Sequence, residues 1–288
     1  MPELPEVHAL VADLGRRLQG RRLEHLQVTS FAALKTFDPP ASALDGLPIH
    51  GVGRHGKFLD FRIGDLHLIL HLARAGWVRW HETPPPPARP ARPGSGPLAA
   101  RLLLDGGCRL DITEAGTKKS LAMYVVRDPA EVPGIARLGP DPLDESFTPV
   151  VFAEILAGAG RAHIKGVLRN QAVIAGIGNA YSDEILHRAR MSPFKPAAMG
   201  ADDAARLYDA LRVTLEDAIA RADGLAASEL KGEKKSGMRV HGRTGQACPV
   251  CGDTVRQVTF ADSSLQYCPT CQTGGKPLAD RVLSRLLK

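Results

Sequence analysis

The sequence predicts an α+β protein: an N-terminal β-sandwich with flanking helices, then a helical domain closed by a metal-bound finger. Three observations carry that expectation. Between about residues 22 and 126 the chain breaks into short apolar runs, several of them alternating, with Gly, Asp or Pro between them. Many short strands in one block fit a sandwich. From residue 149 to 222 the apolar residues recur at helical spacing instead. Near the C-terminus, sixteen residues separate Cys248-Pro-Val-Cys251 from Cys268-Pro-Thr-Cys271. That spacing suits four thiolates around one tetrahedral, structural zinc ion, on two knuckles with a hairpin between.

At 288 residues the chain is long enough for about two domains with real cores. No apolar run approaches the roughly 20 residues of a membrane span, and no charged segment followed by an apolar one marks a secretory signal. The formal charge of +6 fits a polyanionic partner such as nucleic acid. Four of the five cysteines cluster, which in a cytosolic chain favours metal over disulfides. Cys108 stands alone in a strand-like segment and reads as a buried, inert thiol.

Taken in order, residues 3–19 read as a helix, with Leu4, Val7, Val11, Leu14 and Leu18 on one stripe and Gly20 as its stop. This helix would hold the N-terminus rigidly. Strands follow at 23–28, 49–52, 58–63, 66–72, 77–80, 99–104, 109–112 and 121–126. The proline-rich piece 83–97 cannot join a central strand and reads as an exposed loop. Residues 128–148 form a linker rich in Pro, Asp and Gly. Helices are expected at 149–156, 164–169, 179–189 and 201–222. Residues 231–244 read as a basic, DNA-facing loop, and 278–287 as a short terminal helix. The expected domains are 1–127, 149–244 and 245–288.

Three stretches carry chemistry. The first is Met1-Pro2-Glu3-Leu4-Pro5-Glu6-Val7. Removing Met1 turns the Pro2 nitrogen from an amide into a secondary amine. An α-amino group titrates at about 7.7–8.0, against about 10.4 for Lys, so near neutral pH a useful fraction is nucleophilic. Its attack on a sugar carbon gives an iminium, and the adjacent Glu3 can protonate the departing or ring oxygen. Taken alone, these residues read better as the first turn of a helix. The second stretch runs from Ile174 to Glu184. Gly176 and Gly178 permit a tight turn, and Asn179 begins a helix whose N–H groups favour a phosphate. An ordinary capped helix reads the same way. The third, Gly53-Arg-His-Gly-Lys57, opens a strand from a turn.

Together with the segment Arg137-Leu-Gly-Pro-Asp-Pro-Leu143, these marks resemble the formamidopyrimidine-DNA glycosylase / endonuclease VIII family in order along nearly the whole chain. The resemblance implies a bifunctional DNA glycosylase/AP lyase of base-excision repair that removes damaged, oxidised bases. Pro2 would form the Schiff base, Glu3 would donate the proton, and Lys57 would contact phosphate and assist β-elimination. The helical domain would be a helix-two-turn-helix domain in which Asn179 holds the phosphate beside the lesion. Glu184 would support it, and Lys165 matches a family lysine. Arg161 is a further phosphate contact. Cys248, Cys251, Cys268 and Cys271 would be the zinc ligands. Damaged DNA would lie in a cleft between the domains of a monomer, in the cytoplasm with the bacterial nucleoid and away from membranes.

Three departures qualify that picture. The hairpin arginine of the family falls on Ser263, so δ-elimination is in question unless Arg256 substitutes. The wedge position falls on Arg74, whose plane can stack on a base. The segment facing the opposite strand carries Lys118 and Lys119. The lesion and the opposite-base preference are therefore not carried over. The alternative reading is a damaged- or abasic-DNA binder with weak or no glycosylase activity. A zinc ribbon acting on RNA explains the metal and charge but not the N-terminus.

Overall fold

The computed structural model describes residues 1–83, 97–260 and 263–279. The chain divides into two compact units, one of residues 1–138 with 222–230 and the other of 139–221 with 231–288.

In the first unit, helix α1 (Leu4–Leu18) starts where Glu6 accepts the backbone N–H of Glu3 at 2.8 Å. It ends at Gly20, whose φ of +74° suits glycine. Leu4, Val7, Leu10, Leu14 and Leu18 are fully buried, each worth about 2 kcal/mol. Eight strands follow: β1 (Leu23–Val28), β2 (Ile49–His55), β3 (Phe58–Ile63), β4 (Leu66–His71), β5 (Gly76–His81), β6 (Leu98–Leu104), β7 (Arg109–Glu114) and β8 (Ala122–Val126). They form two antiparallel sheets, β1-β6-β7-β5 and β2-β3-β4-β8. Leu26, Leu102, Leu110 and Ile112 of one sheet share a core with Leu59, Phe61, Leu68 and Leu70 of the other and with α1. That shared core makes the expected sandwich.

The register gathers one rim. His55 pairs with Phe58, Phe58 with His71, and His71 with Ala122. The turn bearing Lys57, the end of β4 and the start of β8 therefore share one end of their sheet. In the other sheet Gly76 pairs with Glu114. The connections 72–75 and 115–121 join these ends, so they lie on the same rim. Helix α1 runs away from it. At its far end Ile49 N donates to Arg21 O and Leu23 pairs with Leu104. Arg17 reaches Glu82 beyond the end of β5. One turn earlier, Asp13 accepts the N–H of Ala227, whose carbonyl takes the Trp77 indole at the start of β5. The first residues of α1 thus point to the rim that carries Lys57.

The second unit contains α2 (Pro149–Ala159), capped by Thr148, then α3 (Ile164–Arg169), α4 (Asn179–Arg188), α5 (Ala201–Ala222) and α6 (Leu230–Gly237). The hairpin β9 (Arg256–Thr259) and β10 (Ser264–Tyr267) precedes the short α7 (Pro269–Thr273). Phe147, Phe152, Ile164, Leu168, Ile185 and Leu211 are among its buried core. The start of the expected basic loop is corrected. It is helical, because Leu230 is buried and Glu233 pairs with Arg221 at 2.7 Å. Gly232 and Gly237 masked that helix in the sequence. Most of the proline-rich piece and the terminal helix fall outside the described residues.

Candidate functional site

Pro2 is buried, and Glu3 and Glu6 are 2% and 3% exposed. The carboxylate of Glu6 fixes the backbone of the residue that carries the expected acid, a role the sequence reading did not assign. Lys57 lies beside Gly56 (φ +54°) in the β2–β3 turn and is itself buried. His71, its ring tilted 40° against Phe58 with centroids 4.6 Å apart, neighbours it. Burial, then the Lys57 charge, lowers His71 to about 4. The imidazole is therefore neutral near pH 7 and adds no second cation beside Lys57.

Arg74 is exposed in the 72–75 connection. Lys118 and Lys119 are exposed in the connection 115–121, where Lys119 donates to the Glu114 carbonyl at 2.6 Å. The buried Glu114 carboxylate accepts the N–H groups of Ser120 and Leu121 and so shapes that connection. Pro2, Glu3, Lys57, Arg74 and the two lysines thus converge on one rim. Arg161 belongs to the other unit and is exposed between α2 and α3.

In the second unit the turn before α4 is clamped by Gln171, another residue the sequence did not single out. Its amide donates to Ile177 O at 2.7 Å and accepts from Gly176 N at 3.0 Å. Gly176 has φ +85°, which only glycine adopts readily. Asn179 is the first residue of α4, and its Nδ2 donates to Ser264 O at 2.8 Å, tying the turn to the hairpin.

Lys165, expected at the DNA, sits beneath this turn. It is 5% exposed and donates to Asp183 at 2.6 Å, to Ser182 Oγ at 2.7 Å and to the Asn179 carbonyl at 3.2 Å. Burial and this pairing give it a positioning place rather than a surface charge. The other Asp183 oxygen accepts Gln266 N and lies 2.8 Å from His241 Nδ1.

Glu184 accepts three backbone N–H groups, from Arg239, Val240 and His241, at 2.8–3.0 Å. Burial pushes its pKa up against the pull of those three bonds. Hydrogen bonds to a charged acceptor contribute about 1.5–3 kcal/mol each. Glu184→Gln replaces one acceptor oxygen with a donor facing an N–H. Denaturant melts should show the variant about 2 kcal/mol less stable, with unchanged stability counting against this role.

The Sγ atoms of Cys248, Cys251, Cys268 and Cys271 lie within 4.8 Å of one another. A tetrahedral site with Zn–S near 2.3 Å has sulfur–sulfur edges of about 3.8 Å, and Cys248 and Cys271 stand 3.9 Å apart. Burial pushes the Cys268 and Cys271 thiols up, so a nearby cation is what lets these two ionise together. The residues fit one structural zinc, and four thiolates leave no open coordination position.

Models of three domains match along the chain. They are the formamidopyrimidine-DNA glycosylase N-terminal domain at residues 1–115, its H2TH domain at 138–229, and a zinc finger found in FPG and IleRS at 245–274. A formamidopyrimidine-DNA glycosylase of Symbiobacterium thermophilum is 35% identical over 94% of this chain and 89% of that protein. The chain belongs to the formamidopyrimidine-DNA glycosylase family.

An uncharacterised formamidopyrimidine-DNA glycosylase-like protein of Mycobacterium tuberculosis is 58% identical over 55% of this chain and 99% of its own length. The crystal structure of the MutM (Fpg) protein of Thermus thermophilus superposes with TM-score 0.78 at 33% identity, covering 96% and 100% of the two chains. The Lactococcus lactis Fpg bound non-covalently to DNA containing an AP site gives TM-score 0.79 at 26% identity, covering 94% and 99%. Among the described residues no helix is long and apolar enough to cross a membrane.

Ser263 precedes β10 at the hairpin tip, whereas Arg256 pairs with Tyr267 at the base. Four residues of strand set the two about 13 Å apart, so Arg256 does not occupy the place of Ser263. Ser263 instead lines a cavity of about 590 Å³ with Phe194, Phe260, Lys165 and Arg169. Lys165 is committed to Asp183, which leaves Arg169, exposed at the end of α3, as the surface cation on that wall. Residue spacing carries no signal for Arg169, because the cavity forms only when α3 meets the hairpin.

Proposed function

We propose that this protein is a bifunctional DNA glycosylase/AP lyase that acts on damaged, oxidised bases through the Pro2 amine. The observation that carries this reading is the convergence of the buried Pro2–Glu3 pair and Lys57 on one rim of the sandwich. With Met1 removed, the Pro2 nitrogen attacks C1′ of the damaged nucleotide. Glu3 protonates the sugar ring oxygen, the C1′–base bond breaks, and the base leaves with its electron pair. The ring-opened iminium acidifies C2′, and loss of that proton expels the 3′ phosphate in β-elimination. Lys57 stabilises phosphate charge at the same rim, while Asn179 grips the backbone from its clamped turn. Exposed Arg161, Arg74 and Lys118 are further contacts. The neutral Ser263 at the hairpin tip supports product that stops after β-elimination. The protein acts as a monomer in the bacterial cytoplasm, on nucleoid DNA.

Glu3→Gln separates the two steps. Base release needs the proton, whereas a preformed abasic site already offers its carbon to the amine. Release of an oxidised base should fall by about 10²–10⁴-fold, with cleavage of abasic DNA largely kept. Equal loss of both would remove Glu3 from the acid role. The alternative, a damage binder with weak or no catalysis, is favoured by Ser263 at the position where the family resemblance puts an arginine and by the altered segments that carry Arg74, Lys118 and Lys119. It requires wild-type protein to bind abasic DNA yet release no base.

A further inference from the structure

Helix α4 reaches the metal cluster directly. His187, on its last turn, is 2% exposed, and its Nε2 lies 3.3 Å from Sγ of the buried Cys248. Its Nδ1 is buried with no hydrogen-bond partner among the described residues. These two facts select a tautomer. A proton on Nδ1 would strand a buried donor and turn the Nε2 lone pair toward an electron-rich sulfur. A proton on Nε2 makes the bond and leaves only a bare lone pair at Nδ1.

We propose that His187 is a positioning residue of the zinc site: its Nε2–H donates to the Cys248 thiolate, fixes that ligand, and links metal retention to the helix that begins at Asn179. Four thiolates around a dication carry a net charge of −2, and an N–H aimed at one sulfur offsets part of it inside a buried site. His187 shares a face of α4 with Asp183 and Glu184, at i−4 and i−3. Those carboxylates hold Gln266 and residues 239–241. One helical face thus carries the loop before the first knuckle, the strand before the second, and a metal ligand. Gln272 adds a tie from the second knuckle, donating to Met191 O just beyond α4 at 2.9 Å.

The test uses full-length, zinc-loaded protein and does not depend on glycosylase activity. His187→Phe keeps the ring volume and removes the donor, while His187→Gln keeps an N–H. In chelator competition, H187F should hold zinc about tenfold or more weakly, with H187Q nearer wild type. Wild-type affinity in a folded H187F overturns the proposal. Should H187F lose its native circular dichroism, wild-type protein loaded with ¹¹³Cd decides the matter. Scalar coupling between the His187 Hε2 proton and the metal, across the Cys248 sulfur, supports the proposal. A proton on Nδ1 with no such coupling overturns it.

Discussion

Protein that keeps Met1 should give no covalent adduct with abasic DNA on borohydride reduction, while molecules with Met1 removed are trapped. An amide nitrogen has its lone pair delocalised into the carbonyl, so Pro2 behind Met1 is no nucleophile. Freed, it is a secondary amine whose reaction with the C1′ aldehyde yields an iminium that borohydride reduces irreversibly. Intact mass assigns each preparation, and a one-residue extension before Pro2 should reproduce the block. Because only the neutral amine attacks, the trapping rate should rise with pH and level off above the amine pKa, about 7.7–8.0 for an unperturbed α-amine. An adduct from Met1-retaining protein, or one that maps by mass spectrometry to a lysine side chain, would sink the Pro2 mechanism.

Cys268→Ser should empty the metal site and release the hairpin. Structural zinc in finger peptides binds with about 10–16 kcal/mol, as much as a whole domain's stability of about 5–15 kcal/mol. The buried cluster around the metal site is small, Val240, Cys248, Val255 and Cys268 with Cys271 against it, and a second holds Val258, Leu265 and Tyr267 of the hairpin. Without metal, Ser264 no longer meets Asn179, and the phosphate turn loses its partner. Zinc content should fall from one per chain to near zero. Affinity for abasic-site DNA, read by fluorescence anisotropy, should drop tenfold or more. The helical core around Phe152, Ile185 and Leu211 should still melt cooperatively, because it packs without the finger. Unchanged DNA affinity in the metal-free variant would show that the finger does not shape the binding turn.

Much of this was legible in the sequence, for reasons particular to each element. The strands showed because Gly, Asp and Pro punctuate short apolar runs, and α1 because five aliphatic residues keep helical spacing. The zinc ligands showed because four cysteines at knuckle spacing have few other uses. The rim did not show, since it depends on the register linking His55, Phe58, His71 and Ala122. The burial of Lys165 and the place of Arg256 at the hairpin base were hidden for the same reason. A lysine beside a binding turn looks like a contact until Asp183 is found against it, and a hairpin arginine looks like a substitute until the pairing puts it at the base. Gln171, Glu6 and His187 act through particular hydrogen bonds, to the 176–177 turn, to the Glu3 backbone and to Cys248, which no spacing reveals.

The nine residues 222–230 return to the first unit after the chain has built most of the second. There Ala227 answers both the indole of Trp77 and the carboxylate of Asp13. A fragment ending at residue 138 would lose the Ala227 carbonyl and N–H that meet that indole and that acid beside helix α1. The sandwich is therefore not severable from its sequel by one proteolytic cut, and limited digestion between 222 and 230 should loosen the very helix that presents Pro2.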